Sequence, residues 1–309
     1  MVGLSLFIAS AKAPYSSPQC SANRFRMPLA LILSSHVAGS QVGATAQATA
    51  LAQFRIDSMV VPTVLYGRHP GWGIPGGAPV PIEVFEGMLD GIEANGLFGL
   101  VDLVITGYFA TAAQARAAAR VIDAVREAPR PNGAATRRPI VVVDPTMGDA
   151  GKGLYIPTET ADEIIADLIP RADVVACNSW ELRKLTGTDA RDPVSAMKAA
   201  RLLGKTTLVS SVQRGAEIGA VLADHKEAWL AAHAKTERAP NGAGDLLTAL
   251  YAASILEGQT FSYGLARAVG GVAETITAAN IWNAPELPIV AMGARIKQTS
   301  PTVRIERLA

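Results

Sequence analysis

The sequence predicts an α/β fold, a three-layer α/β/α sandwich around a mainly parallel central sheet. Strand-like and helix-like segments alternate from residue 28 to about 282, the pattern of strands joined by crossover helices. Apolar residues make up 49% of the 309 residues and charged residues 18%, which suits a sheet buried on both faces. No internal repeat and no linker divides the chain. One domain is therefore expected over 27–295, with a C-terminal tail over 296–309.

Residues 29–33 (Leu-Ala-Leu-Ile-Leu) read as the first buried strand. Residues 42–54 are Ala-rich and helical, and 59–64 form the next strand. Residues 66–81 are so dense in Gly and Pro that they read as a loop. Apolar residues at helical spacing mark 82–94, followed by a strand over 100–106 and a helix over 112–126. Residues 128–138 are a charged, Pro-rich surface loop. Residues 140–144 are unbroken β-branched positions ending in an acid. A helix follows over 158–169 with Thr158 as its cap, then a strand over 173–177. A short helix over 179–185 takes Ser179 as its cap, and another spans 194–203. Residues 206–211 form a strand, and 220–223 pair with 227–232 as a hairpin. Helices over 245–256 and 262–279 close the core.

Formal net charge is +1 with the basic residues scattered, so no nucleic-acid footprint is expected. The two cysteines, Cys20 and Cys177, form no C-x-x-C pair, and the four histidines lie far apart. That usage fits a reduced, cytoplasmic setting without a disulfide framework or a structural metal. No apolar run reaches transmembrane length. Residues 1–26 lack the basic start of a signal peptide and are expected to be a disordered extension.

In a parallel sheet ligands collect beyond the carboxyl ends of the strands. Polar groups recur there: Ser34-Ser35-His36, the Gly/Pro loop, Gly107-Tyr108, Asp144, Asn178 to Glu181, and Ser210-Ser211. The most telling segment is Arg238-Ala-Pro-Asn-Gly-Ala-Gly-Asp245 at a helix start. The amides of Gly242, Ala243 and Gly244 would hold an anion beside the Asp245 carboxylate, the pairing that phosphoryl transfer to an alcohol requires. Alone, such a tetrapeptide is more often a turn whose Asp caps a helix. Asp144 at a strand end is either an Mg²⁺ ligand or the start of a turn before Pro145. Glu181 is either a partner to Mg²⁺-bound water or a carboxylate favoured by the helix dipole. Asn178 reaches a phosphate or merely ends its strand. Gly148-Asp-Ala-Gly-Lys-Gly153 lacks the Gly at 146 and the Ser or Thr after Lys152 of a phosphate loop, and is rejected as one. Tyr66, His69, Trp72 and Tyr108 suit a planar heteroaromatic ligand, or else pack beneath the Gly/Pro loop.

Taken in order, Ser35-His36-Val37, Gly39, Val42-Gly43, the His69-Pro-Gly-Trp72 loop, Gly107-Tyr108, Asp144-Pro-Thr-Met-Gly148, Asn178-x-x-Glu181 and Gly242-Ala-Gly-Asp245 resemble the pyridoxal kinase family of the ribokinase-like superfamily. The match covers about residues 28–282. The resemblance implies ATP-dependent, Mg²⁺-assisted phosphorylation of the 5′-hydroxyl of pyridoxal by a homodimer. Asp245 would be the base, and Gly242, Ala243 and Gly244 the anion hole. Ser35 would bond the pyridine ring, Tyr66 and Tyr108 would cover its faces, and the loop of His69, Pro70 and Gly71 would line its other side. Asp144 and Glu181 would organise Mg²⁺, with Ala176, Asn178 and Ser210 along the nucleotide. His233, Ala234, Lys235 and Thr236 would border its base. Pro70 departs from the family pattern, since it lacks the hydroxyl and the N–H of the Thr that many relatives carry. The alternatives are a kinase for hydroxymethylpyrimidine or another heteroaromatic alcohol, or a silent B6-binding protein. At a helix N-terminus Asp245 is expected to stay ionised at neutral pH.

Overall fold

A computed structural model describes residues 27–131, 136, 138–236 and 238–309. The N-terminal extension expected over 1–26 lies outside the described residues, as does part of the loop over 128–138.

The chain opens with β1 (Leu29–Val37), α1 (Gly43–Gln53) and β2 (Asp57–Tyr66). A single 3₁₀ turn (Pro70–Trp72) leads to β3 (Gly77–Pro79), α2 (Ile82–Ala94), β4 (Leu103–Thr106) and α3 (Ala112–Glu127). Next come β5 (Ile140–Val143) and a small hairpin of β6 (Gly148–Asp149) and β7 (Gly153–Leu154). The helix after it is α4 (Thr158–Glu163), a π-helical turn (Ile164–Leu168) and α5 (Ile169–Arg171) in succession. Then follow β8 (Val174–Asn178), α6 (Ser179–Thr186), α7 (Pro193–Leu202), β9 (Thr206–Arg214), β10 (Glu217–Ala223) and β11 (Ala228–Ala234). The chain ends with α8 (Ala243–Leu256), α9 (Phe261–Ile281) and β12 (Arg304–Arg307).

One ten-stranded sheet runs β12-β11-β10-β9-β8-β5-β4-β1-β2-β3. The six strands from β9 to β2 are parallel; β10, β11, β12 and β3 add antiparallel edges. Period-two alternation divides the core in two. Leu31, Leu33, Val141, Val143 and Val175 face the helices α2, α3, α6 and α7. Ala30, Ile32, Val142, Val174 and Ala176 face α1, α8 and α9. Among the described residues no helix is long and apolar enough to cross a membrane.

Three readings of the sequence need correction. The Gly/Pro stretch is not all loop: Gly77–Pro79 pairs with the end of β2. Thr158 does not cap its helix but is its first residue, following Pro157, with no side-chain cap bond. Nor is Ser179 a cap. Asn178 takes that place, because its side chain accepts the Trp180 and Glu181 amides at 2.9 Å each. Glu181 returns a bond from the Asn178 N–H at 2.9 Å, closing a capping box.

β1 sits between β2 and β4, so the chain reverses direction of travel across the sheet at β1. A crevice is expected beyond the strand ends at such a switch point. Pro62 in β2 has no amide to donate, and just after it two residues of β1 face three of β2. That irregularity falls at Ser35.

Candidate active site

A cavity of about 700 Å³ opens over these strand ends. Ser35, Tyr66, His69, Pro70, Gly71, Tyr108, Asp144, Ala176, Asn178, Glu181, Ser210, Gly242, Gly244 and Asp245 all line it. Ala243 heads α8 between two lining residues but is not itself in the lining. His233, Ala234, Lys235 and Thr236, at and after the end of β11, stay outside it. Trp72 is also outside, half exposed on its 3₁₀ turn.

Asp245 is the third residue of α8, whose N-cap is Gly242 at φ +89°. A Cβ on Gly242 would lie 2.0 Å from the Gln41 carbonyl oxygen, so only glycine lets the β1–α1 loop approach the head of α8 this closely. On the other side the backbone N–H of Gly43, first in α1, faces the Asp245 carboxylate and favours its charged form. Gly43 is itself required, since a Cβ there would meet Ser35 Oγ at 2.2 Å. Two helix N-termini thus converge on one carboxylate.

Asp144 leaves the end of β5 and accepts bonds from the Thr146 N–H (3.1 Å) and hydroxyl (2.7 Å). Its other oxygen accepts the Thr248 hydroxyl at 2.9 Å. Thr146 is held at φ +40°, a strained conformation that the Asp144 bonds maintain. Glu181 is buried, with Oε1 accepting the Met147 amide at 2.8 Å and Oε2 accepting that of Asn178. It therefore ties the β5–β6 turn to the start of α6. Lys152, on the β6–β7 hairpin, is the only Lys or Arg in the lining among the described residues. His69 Nδ1 accepts the Gly71 N–H at 3.0 Å and lies 3.3 Å from Asn241 Nδ2. Burial foremost, and then Lys152, lower the pKa of His69, so it is neutral at pH 7 with its proton on Nε2.

A family model described as phosphomethylpyrimidine kinase matches residues 106–288. The pyridoxine/pyridoxal/pyridoxamine kinase of Bordetella avium is 32% identical over 232 residues, which are 72% of this chain and 76% of that protein. The chain belongs to the pyridoxal kinase family. Pyridoxal kinase PdxY of Corynebacterium diphtheriae is 28% identical over 287 residues, 90% of this chain and 99% of that one. Of solved structures, the pyridoxal kinase of Entamoeba histolytica gives a TM-score of 0.82 at 24% identity, covering 92% of this chain and 100% of its own. That of Leishmania donovani, in complex with ADP and pyridoxamine, gives 0.83 at 23% identity, covering 91% and 99%. Both show the same ribokinase-like architecture as this member of the pyridoxal kinase family.

Asp144, Glu181 and Asp245 crowd one end of the family's cavity, and their charges repel. Burial and then Asp144 push Glu181 up to about 8 and Asp245 up to about 7; burial raises Asp144 as well. The expectation that Asp245 stays ionised at neutral pH is therefore corrected: removal from water outweighs the helix-end donors. Between about pH 4.5 and 8 the folded protein holds more protons on these groups than the unfolded chain does, so stability falls as pH rises. The lowered pKa of His69 opposes this only below about pH 6.5. We expect the Tm of the unliganded protein to rise as pH is lowered from 8 to 5.5, at up to about 1.4 kcal/mol per pH unit for each titrating carboxyl. Calorimetry across that range checks it; a Tm that falls steadily on acidification would contradict it.

Reasoning from the sequence missed Thr248, although it lies one turn after Asp245 and so on the same helical face. It also missed the Gly43 amide, Asn241 and Gln47. Gly43 and Asn241 stand inside segments read for other roles, and Gln47 carries no signal beyond being polar in an Ala-rich helix.

Proposed function

We propose that this cavity transfers the γ-phosphoryl group of ATP to the 5′-hydroxymethyl group of pyridoxal and its B6 relatives, with Asp245 as the base. One observation carries the reading: Asp245 and the head of α8 open into the same cavity as Ser35 and Tyr108. The names of the Bordetella and Corynebacterium relatives, and the ADP and pyridoxamine bound to the Leishmania enzyme, support it.

The vitamer ring lies between Tyr66 and Tyr108, with Ser35 bonding its polar edge and His69, Pro70 and Gly71 closing the loop side. Its hydroxymethyl group then faces Asp245. Asp245 accepts the alcohol proton late, as the phosphoryl group leaves ADP, while the amides of Gly242, Ala243 and Gly244 receive the charge on the moving group. Ala176, Asn178 and Ser210 line the nucleotide side, and Lys152 reaches over the phosphates.

Asp144 and Glu181 would hold Mg²⁺. Two mutually repelling carboxylates are a donor set that fits a hard cation. Among the described residues no group of three or more ligating side chains closes a site, which suits an ion that keeps its waters and phosphate ligands. Bound there, Mg²⁺ supplies neutralisation of phosphate charge. A cytoplasmic homodimer, as the family resemblance implies, completes the reading.

Steady-state ADP release with pyridoxal, pyridoxine, pyridoxamine and hydroxymethylpyrimidine, each with Mg·ATP, tests the proposal. Pro70 offers the 4′ substituent no donor, so kcat/KM for the three vitamers should agree within roughly tenfold, the worth of one absent hydrogen bond. Turnover of the pyrimidine without turnover of any vitamer would overturn it.

A further inference from the structure

α1 is built largely from Ala, with Thr and Gln interspersed, and it buries Gln47 completely. Gln47 stands one turn after Gly43, on the same face of the helix. Its Nε2 points at Asp245 Oδ1 from 3.5 Å. Gly107 keeps the space around it open: a Cβ there would lie 2.2 Å from Ser34 Oγ and 3.8 Å from Gln47 Nε2. Ser34 is fully buried too, and among the described residues neither Ser34 Oγ nor Gln47 Oε1 has a hydrogen-bond partner. An amide with half its hydrogen-bonding capacity unmet is a poor choice for a core position, where an apolar side chain of the same length is more stable. Its retention points to a task for the other half.

We propose that Gln47 is a positioning residue for Asp245. It rests on the reading of Asp245 as the base. The backbone N–H groups of Gly43 and of Asp245 itself also face the carboxylate, but without a side-chain donor it can still turn about its Cβ–Cγ bond. A second donor from the next turn of the same helix fixes that rotation and aims the remaining lone pair at the acceptor alcohol. At 3.5 Å the contact is at the long end of a hydrogen bond, and it would shorten as the acceptor alcohol binds. Ionised Asp245 accepts from Nε2; protonated Asp245 can donate to Oε1 once the amide turns, so the same side chain serves the carboxyl before and after it takes the proton.

Gln47→Leu and Gln47→Met test this, since both keep the volume and remove the donor. We expect kcat to fall about tenfold, with KM for ATP and for pyridoxal within about twofold of the parent. Tm should hold or rise in the same variants, because the unmet carbonyl oxygen is gone; a merely structural residue would lower Tm and activity together. In an Asp245→Asn background Gln47→Leu should cause no further loss, since its effect runs through the carboxylate. Should Gln47→Leu fail to fold, Gln47→Met carries the test. A folded variant with kcat within twofold of the parent, or full additivity with Asp245→Asn, overturns the proposal while the base assignment stands. Near-parent kcat in Asp245→Asn alone would sink both.

Discussion

Asp245→Asn should lower kcat by about 10²–10⁴-fold, the usual yield of a positioned base, with little change in KM. The substitution keeps the shape of the side chain, so the Gly43 N–H still finds an oxygen to donate to. What it removes is the capacity to take a proton. The same change should leave Tm at pH 8 equal to or above that of the parent, since a buried negative charge beside Asp144 disappears. Activity and stability would then move in opposite directions, a result that misfolding does not produce. In the parent, kcat/KM should decline below about pH 7, where Asp245 becomes protonated in the free enzyme. Near-parent kcat in the Asn variant would remove Asp245 from the reaction.

Much of this could be read in the sequence because it rests on short-range rules. Apolar periodicity located the helix over 82–94 to the residue, and the unbroken Ile-Val-Val-Val run located β5. Asp144, Asn178 and Asp245 were visible because each ends a strand or starts a helix, where backbone geometry alone aims a side chain at the crevice. Other features were not legible, for identifiable reasons. β3 has no strand propensity of its own; Gly77–Pro79 is a strand only because the end of β2 lies beside it. Ser179 and Asn178 are both good caps, and the amides that Asn178 accepts, with the Glu181 return bond, decide between them. The pKa of Asp245 depends on Asp144, about a hundred residues away in the chain. Gln47 and Glu286 belong to the same class. Glu286 accepts from the Ser40 hydroxyl at 3.1 Å and the Gln41 N–H at 3.0 Å, and so anchors the loop that touches Gly242.

That loop makes Gly242→Ala the second large expected effect. Gly242 sits at φ +89°, where a side chain is strained, and its Cβ would fall 2.0 Å from the Gln41 oxygen. A backbone oxygen gives way less readily than a flexible side-chain end, and the Glu286 bonds to Ser40 and Gln41 resist movement of the loop as a whole. The head of α8 must therefore move. A displacement of about 1 Å at an anion hole lowers kcat on the order of 10²-fold. Left-handed strain alone removes about 1–2 kcal/mol of stability, so Tm should fall by roughly 2–3 °C from that cause. Gly244→Ala is the control. Among the described residues nothing lies within 4 Å of a Cβ there, and the residue is within α8, so Tm should hold or rise as alanine favours the helix. Any activity that Gly244→Ala loses would then report contact with the phosphate itself rather than damage to the fold. Thermal melts of both variants, run beside ADP-release kinetics, separate the two cases. Equal Tm in Gly242→Ala and the parent would mean that the β1–α1 loop does not brace the head of α8.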